Sequence, residues 1–252
     1  MRKSMWGAFA VCLTLPAIAL GQGDDQAAAK ALVDKAIKAS GGAEKLTKNT
    51  GITFKGTGKA EEGGMTVSMN HAWSLQDGDK FRAELGVEVM GMTHNMVMIV
   101  DGDKGWMQAN GMTMDAPKEA IDMFKDVFQS IRFVQRLVPL TAKDVALSPL
   151  GEVKVGDRAT MGVRAGRKDK SDINLYFDKE TGLLAKVEMR FKNPESNNEE
   201  SLELLLSDYK DFDGFKHCSK MVMHKDGKKF FETDVTDVKL HEKLDASLFA
   251  KP

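Results

Sequence analysis

Cysteine is nearly absent: among 252 residues there are two, Cys12 and Cys218. Cys12 falls in an apolar N-terminal run, so the chain without that run has one thiol. No internal disulfide can then form, even where the compartment would permit one. Charge of one sign is equally scarce. Thirty-six Lys and Arg stand against 37 Asp and Glu, for a net charge of −1. With no basic run either, the balance argues against nucleic acid as a partner. Sequence signatures of common chemistry are missing too. There is no G-x-S-x-G, no H-E-x-x-H, no P-loop and no C-x-x-C. Gly56-Thr57-Gly58 is followed by Gly63, which misses the dinucleotide-binding spacing, and it lies between strands instead of opening a helix.

The N-terminus carries Arg2 and Lys3 ahead of a mostly apolar run from Trp6 to Leu20. Fifteen residues are too few to span a bilayer comfortably. Small residues at Ala17, Ala19 and Gly21 complete a secretory signal peptide over residues 1–21, with cleavage expected after Gly21 or Ala19. Ala10 and Val11 before Cys12 make a poor lipobox, so no acylated N-terminus is expected. Loss of the leader takes the net charge from −1 to −3. The remaining segment, 22–252, is long enough to bury a large core, and a single β-rich domain of about that size is common. The expected location is therefore periplasmic or secreted.

What the sequence has in abundance is methionine in one place. Ten of its sixteen methionines fall between Met65 and Met123. Most lie in segments that alternate apolar and polar residues, where β-branched and aromatic side chains are the usual choice. Met is flexible and polarizable and suits an apolar surface that repacks around a variable guest. The other reading is gap-filling in an ordinary core.

Residues 26–39 form a helix, with Asp24 or Asp25 at its start and Gly41-Gly42 to stop it. Met65, Val67, Met69, His71, Trp73 and Leu75 share one strand face. Phe81, Ala83, Leu85, Val87 and Val89 share another. Period two with one wet face is the pattern of antiparallel sheets. Asp77-Gly78, Asp101-Gly102 and Asn110-Gly111 mark tight turns. Over 117–138 the spacing becomes helical, through Ile121, Phe124, Phe128, Ile131 and Val134. Asp115 is the expected cap, Pro117 sits in the first turn, and Lys118, Asp122, Lys125, Arg132 and Arg136 exclude a membrane span. Strands return after Pro149, broken by a polar loop at 193–198. The alternation slips between Phe230 and Val238, which predicts a bulge, and a short helix at 245–249 ends the chain. The sum is an α+β, mostly β architecture of about eleven antiparallel strands.

Candidate chemistry is sparse. His71 and His94 fall on apolar faces. His217, Cys218 and His224 share a strand region, but neighbours 217 and 218 point to opposite faces and chelate one metal poorly. Asp208, Asp211 and Asp213 before Gly214 do not fit an EF-hand. No catalytic residue, metal ligand or cofactor site is assigned.

Three stretches together resemble the LolA-like superfamily of outer-membrane lipoprotein-sorting carriers. They are Ala39-Ser40-Gly41-Gly42 through Leu46, Leu175 through Asp178 with Gly182 and Leu184, and Ser207 through Gly214 followed by the Asp226-Gly227 hairpin and Leu244–Phe249. The resemblance implies an incomplete β-barrel whose helices cover an apolar cavity that takes acyl chains. On that reading the lining is Met65, Met69, Trp73, Phe81, Leu85, Met96 and Met98 from strands, with Phe124, Phe128 and Ile131 from the long helix. The expected function is sequestration of lipoprotein acyl chains or lipid without covalent chemistry, by a monomer in transient contact with a membrane-bound donor or acceptor. The functional arginine that such carriers have on an early strand has no counterpart here, where the first strand carries Lys55 and Lys59. Two other readings stay open. One is a sensor or interaction protein of the anti-sigma-regulator type. The other is a hydrolase, for which His71, His94 and a carboxylate would have to converge.

Overall fold

The computed structural model describes residues 22–252 apart from 63, 78, 90, 169 and 193–197. The leader, Met90 and most of the polar loop at 193–198 lie outside the described residues. Helix α1 (Gln22–Ser40) has Asp24 and Asp25 in its first turn, where acidic groups complement the helix dipole. It stops at Gly41 (φ +139°) and Gly42 (φ +90°), and the Gly42 N–H reaches back to the Ile37 carbonyl at 2.9 Å. Its buried stripe is Ala29, Val33, Ala36 and Ile37. A one-turn-plus helix α2 (Ala43–Lys48) follows.

Six strands come next: β1 (Gly51–Glu62), β2 (Met65–Gln76), β3 (Lys80–Val89), β4 (Met92–Asp101), β5 (Lys104–Ala109) and β6 (Met112–Asp115). Helix α3 (Lys118–Arg136) and a 3-10 turn (Val138–Thr141) separate them from β7 (Val145–Val155), β8 (Arg158–Arg167), β9 (Lys170–Asp178), β10 (Leu184–Lys192), β11 (Glu199–Phe212), β12 (Phe215–Lys225) and β13 (Lys228–His241). A last 3-10 turn at Ala246–Phe249 is capped by Asp245, whose carboxylate accepts from the Ser247 N–H at 2.8 Å. The strands number thirteen, where the pattern predicts about eleven. The additions are the four-residue β6 and the strand β7, which begins at Val145, ahead of Pro149.

All thirteen strands form one antiparallel sheet in the order β6-β5-β4-β3-β2-β1-β13-β12-β11-β10-β9-β8-β7. Two meanders, β1–β6 and β7–β13, are thus stitched along β1 and β13, with Gly51 opposite His241 and Ala60 opposite Phe231. Hairpin turns fall where the sequence supplies residues tolerant of positive φ, such as Asn110-Gly111 (+48°, +82°) and Asp226-Gly227 (+48°, +76°), as tight hairpins require. The expected bulge is present in β13 and is double. Thr236 is the extra residue against Lys55 and Gly56, and Phe230 the extra residue against Met223 and His224.

Helix α3 differs from expectation at its start. Its N-cap is Pro117, extended at φ −63°, ψ 152°, and no side chain caps it. Asp115 lies two residues further back, too far to reach the first free N–H groups, and pairs instead with Lys251 at 2.8 Å. The helix joins the two edge strands of the sheet. Ile121 meets Gly105 in β5 and the Phe133 ring lies under the Arg167 guanidinium of β8 at 5.2 Å. On a flat sheet those strands would be about 48 Å apart, whereas the helix between the two residues measures about 18 Å. The sheet is therefore curled into an open trough, with α3 across the inside.

Candidate functional site

The register places the inner face in rows. Leu75, Phe81, Val100 and Gly105 stand side by side across β2–β5. Trp73, Ala83, Met98, Met107 and Met114 form the next row, across β2–β6. His71, Leu85, Met96, Ala109 and Met112 form the third. Met69, Val87 and His94 follow, and Val89 opposite Met92 lies at the far end. All seven strand residues expected to line a cavity are on this one face.

Helix α3 covers the first rows. Phe128 stacks on Phe81, Phe124 continues the stack, and Trp73 meets Phe81 edge-on at 5.3 Å. Phe81 and Phe128 are buried, and Trp73, Met98, Phe124 and Ile131 pack against the same core. At the Phe81–Phe128 stack helix and sheet meet closely. The gap beside Leu75, Phe81, Val100 and Phe128 is about 10 Å³, room for about one water. Gly105 permits the approach at the other end of the helix, since a Cβ there would stand 2.7 Å from Ile121 Cγ1. The helix's own rings Phe124 and Phe128 thus pack directly on the rows that carry Phe81 and Trp73.

Polar groups fasten the C-terminal end of α3. Arg136 is buried and donates to the Leu46 carbonyl at 2.9 Å, the Thr50 carbonyl at 3.1 Å and the Asp77 carboxylate at 2.6 Å. Arg132 shares Asp77 at 3.2 Å. One turn on, the Gln135 side-chain amide lies against His217 Nε2. In the sequence these arginines read only as charges excluding a membrane span. Their latch role depends on the β2–β3 turn reaching the helix, which no local pattern announces.

Beyond the helix the inner face is bare. Met65, Val89, Met92, Met96, Met112 and Met114 are 40–71% exposed. They are the exposed large apolar side chains among the described residues, and all six lie on the inner face of the β1–β6 wing. Together they present on the order of 600 Å² of apolar surface, at the upper end of what monomers usually show. Leu85 and Met69 are half-buried between the bare and covered parts.

The buried histidines are satisfied differently. Thr233 Oγ1 donates to the Thr57 carbonyl at 3.0 Å, so it accepts from His71 Nε2–H at 2.6 Å. Burial lowers His71 from 6.5 to about 4, so the ring is neutral and Nδ1 is a bare acceptor, without a partner among the described residues. His217, also lowered to about 4 by burial, donates from Nδ1 to the Cys218 carbonyl at 2.7 Å. Burial pushes the Cys218 thiol up to about 12, so it stays protonated. His71 and His94 sit two strands and one row apart, roughly 12 Å by strand spacing and rise, and the carboxylates of these strands, such as Glu84 and Glu88, alternate to the other face. The convergence that hydrolysis would need does not occur there. Among the described residues no three of His, Cys, Asp and Glu are grouped to hold a metal ion, and no helix is long and apolar enough to cross a membrane. Larger cavities lie elsewhere: one of about 790 Å³ at the far end of the sheet is lined by Glu61, Met65, Lys225, Lys229 and Phe230, and another lies among outward-facing polar groups. The latter, of about 650 Å³, is lined by Arg164, Asp172, Glu188, Arg190 and Glu203, where Glu188 accepts from Tyr176 at 2.8 Å and from Lys186 at 2.6 Å.

The curled, open antiparallel sheet, with an N-terminal helix and a long helix laid across its inner face, is similar in fold to several solved structures. Similar structures include a DUF1329 family protein from Desulfovibrio piger, with TM-score 0.59 and 13% identity over 88% of this chain and 97% of that one. A LolA superfamily protein from Nitrosomonas europaea gives 0.55 and 12% over 88% and 97%. A Vibrio parahaemolyticus domain named for outer-membrane lipoprotein sorting gives 0.52 and 12% over 86% and 97%. At such identities the likeness is one of fold alone. No family model and no curated protein matches the sequence.

Proposed function

We propose that this protein is a carrier that sequesters acyl chains of lipoproteins or lipids on the inner face of its sheet, without covalent chemistry. The observation that carries the reading is the confinement to that face of the six exposed large apolar side chains found among the described residues. Met65, Met69, Leu85 and Met96 would receive the guest first. Trp73, Phe81 and Met98 would follow as α3 lifts Phe124, Phe128 and Ile131 away. Each buried methylene contributes about 0.8 kcal/mol, so a long chain gains on the order of 10 kcal/mol over water and little over a bilayer. Balanced transfer of that kind suits a carrier that must also release. Lipid-like cargo, export by the leader to the periplasm or medium, a monomeric state and brief contact with a membrane-bound donor and acceptor belong to the same reading. Mass spectrometry of organic extracts from natively purified protein tests it. Stoichiometric acylated species are expected. Extracts free of acyl lipid, together with no binding of a fluorescent fatty acid, would overturn it.

A further inference from the structure

The methionines of the bare wing are grouped in a way that apolarity alone does not require. Met107 on β5 has Met98 of β4 directly opposite on one side and Met114 of β6 directly opposite on the other. Two residues along, Ala109 has Met96 and Met112 opposite it. Met96, Met98, Met112 and Met114 thus mark the corners of a rectangle, with Met107 at the midpoint of one side and the small Ala109 at the midpoint of the other, where it leaves space between the outer pair. Directly opposed side chains have Cβ atoms about 5 Å apart. Three sulfurs around one ion, at metal–sulfur bonds of about 2.3 Å, need to be about 4 Å from each other. Met98 and Met114 stand two strand spacings, about 10 Å, apart, so both must lean fully inward over Met107, by about 3 Å each, which the long unbranched thioether side chain can do. Met114, Met112 and Met96 are 53%, 71% and 42% exposed, so the cluster is open to solvent. Hard oxygen donors are missing from its rows. The neighbours on this face are Ala83, Leu85 and Ala109, with His94 beside Met96. Thioethers are neutral soft ligands that select Cu(I)-like ions over Zn(II), Mg(II) or Ca(II).

We infer that Met98, Met107 and Met114, with Met96 and Met112 as exchangeable outer ligands, form a binding site for a soft monovalent cation, Cu(I) or its redox-silent analogue Ag(I). The site is independent of the carrier reading, because it needs sulfur where a guest chain needs only apolar surface. No electron transfer is involved: the ion binds and leaves in one oxidation state. The test is titration of the full chain, labelled with ¹³C at the methionine methyls, with Ag(I). The resonances of Met98, Met107 and Met114 are expected to shift together and saturate near one equivalent, with Met112 and Met96 following. Reading the methyls separates this site from metal taken up by a thiol. Met107→Leu keeps volume and apolarity, and such swaps usually leave the fold intact. It is expected to weaken Ag(I) binding at the cluster at least tenfold, while fluorescent fatty-acid affinity changes less than twofold. Met107→Ile serves as the second variant should Leu disturb the strand. Methyls that do not shift, equal shifts with Zn(II), or unchanged Ag(I) affinity in a folded Met107 variant would each overturn the assignment.

Discussion

If α3 competes with a guest for the same ground, removing its central ring should strengthen binding. Phe128 is buried against Phe81 and continues the stack with Phe124, over a gap of only about 10 Å³. Truncating a buried Phe to Ala costs about 3–5 kcal/mol, and here that loss falls on the closed arrangement of the helix. A guest binds only the open arrangement, so its apparent affinity is scaled by the open fraction. Against this gain stands the contact a guest would have made with the lost ring, worth about 1.5–3 kcal/mol. The difference leaves roughly 1–2 kcal/mol in favour of binding, a tightening of about 5–30-fold at 1.4 kcal/mol per decade. The assay is titration of a fluorescent fatty acid into wild type and Phe128→Ala, with circular dichroism to show that the sheet persists. Val163→Ala is the control. It opens a fully buried site on β8, loosening the fold without touching the Phe81–Phe128 stack, and should leave affinity within twofold. Unchanged or weaker binding in a folded Phe128→Ala protein would refute competition between helix and guest.

Acid should destabilise the fold. His71 and His217 are held near 4 by burial, whereas the unfolded chain protonates them near 6.5, so between those values the unfolded state binds more protons. Stability is therefore full above about pH 6.5 and lost progressively as pH falls toward 4, by up to ~3 kcal/mol per ring. Urea midpoints at pH 7.5 and 5 should differ, and a difference equally large in His217→Phe would contradict the assignment. Asp77→Asn removes the charge shared by Arg132 and Arg136 and should weaken the latch by about 1.5–3 kcal/mol. Hydrogen exchange in the last turns of α3 should then quicken tenfold or more while β8–β12 are unchanged, and a uniform response along the chain would count against a local latch. Gly105→Val drives a side chain into Ile121 and should lower Tm while accelerating fatty-acid uptake; slower uptake in a folded variant would argue against entry beneath that end of the helix. The intact mass of exported protein should begin at Gln22 or Leu20, and retention of Met1–Leu20 or a lipid on Cys12 would contradict cleavage.

The turns were legible because they rest on single residues. Asp-Gly and Asn-Gly pairs tolerate positive φ, and each such pair described in full closes a hairpin. The faces were legible because strand alternation is strict: Met65 through Leu75 and Phe81 through Val89 stay together in the structure. The β13 bulges showed as a break in that alternation near Phe230 and Thr236. Strand β7 hid because Pro149 falls inside it. The register shift between Pro149 and Gly151 accommodates the proline but spoils period two. The site was only half legible. Periodicity tells which residues share a face but not how far a helix sits from it, and the absence of a side chain at Gly105 lets Ile121 approach across sequence positions that no local pattern couples. Asp115 was misplaced as a cap for a similar reason, since its actual partner, Lys251, lies at the other end of the chain.

The stitching of the two meanders has a consequence in time. Strand β1 finds one partner at once in β2, but its other edge waits for β13, so Gly51 remains open on that side until His241 has been made. Contacts between such distant positions form slowly because a long loop must close before they return any free energy. Until then the chain is two separate curled half-sheets with unpaired edges and a bare methionine surface, the state most prone to self-association. Completion of the trough is thus reserved for the last strand, and a chain cut before Lys228 should accumulate as a sticky, protease-sensitive intermediate.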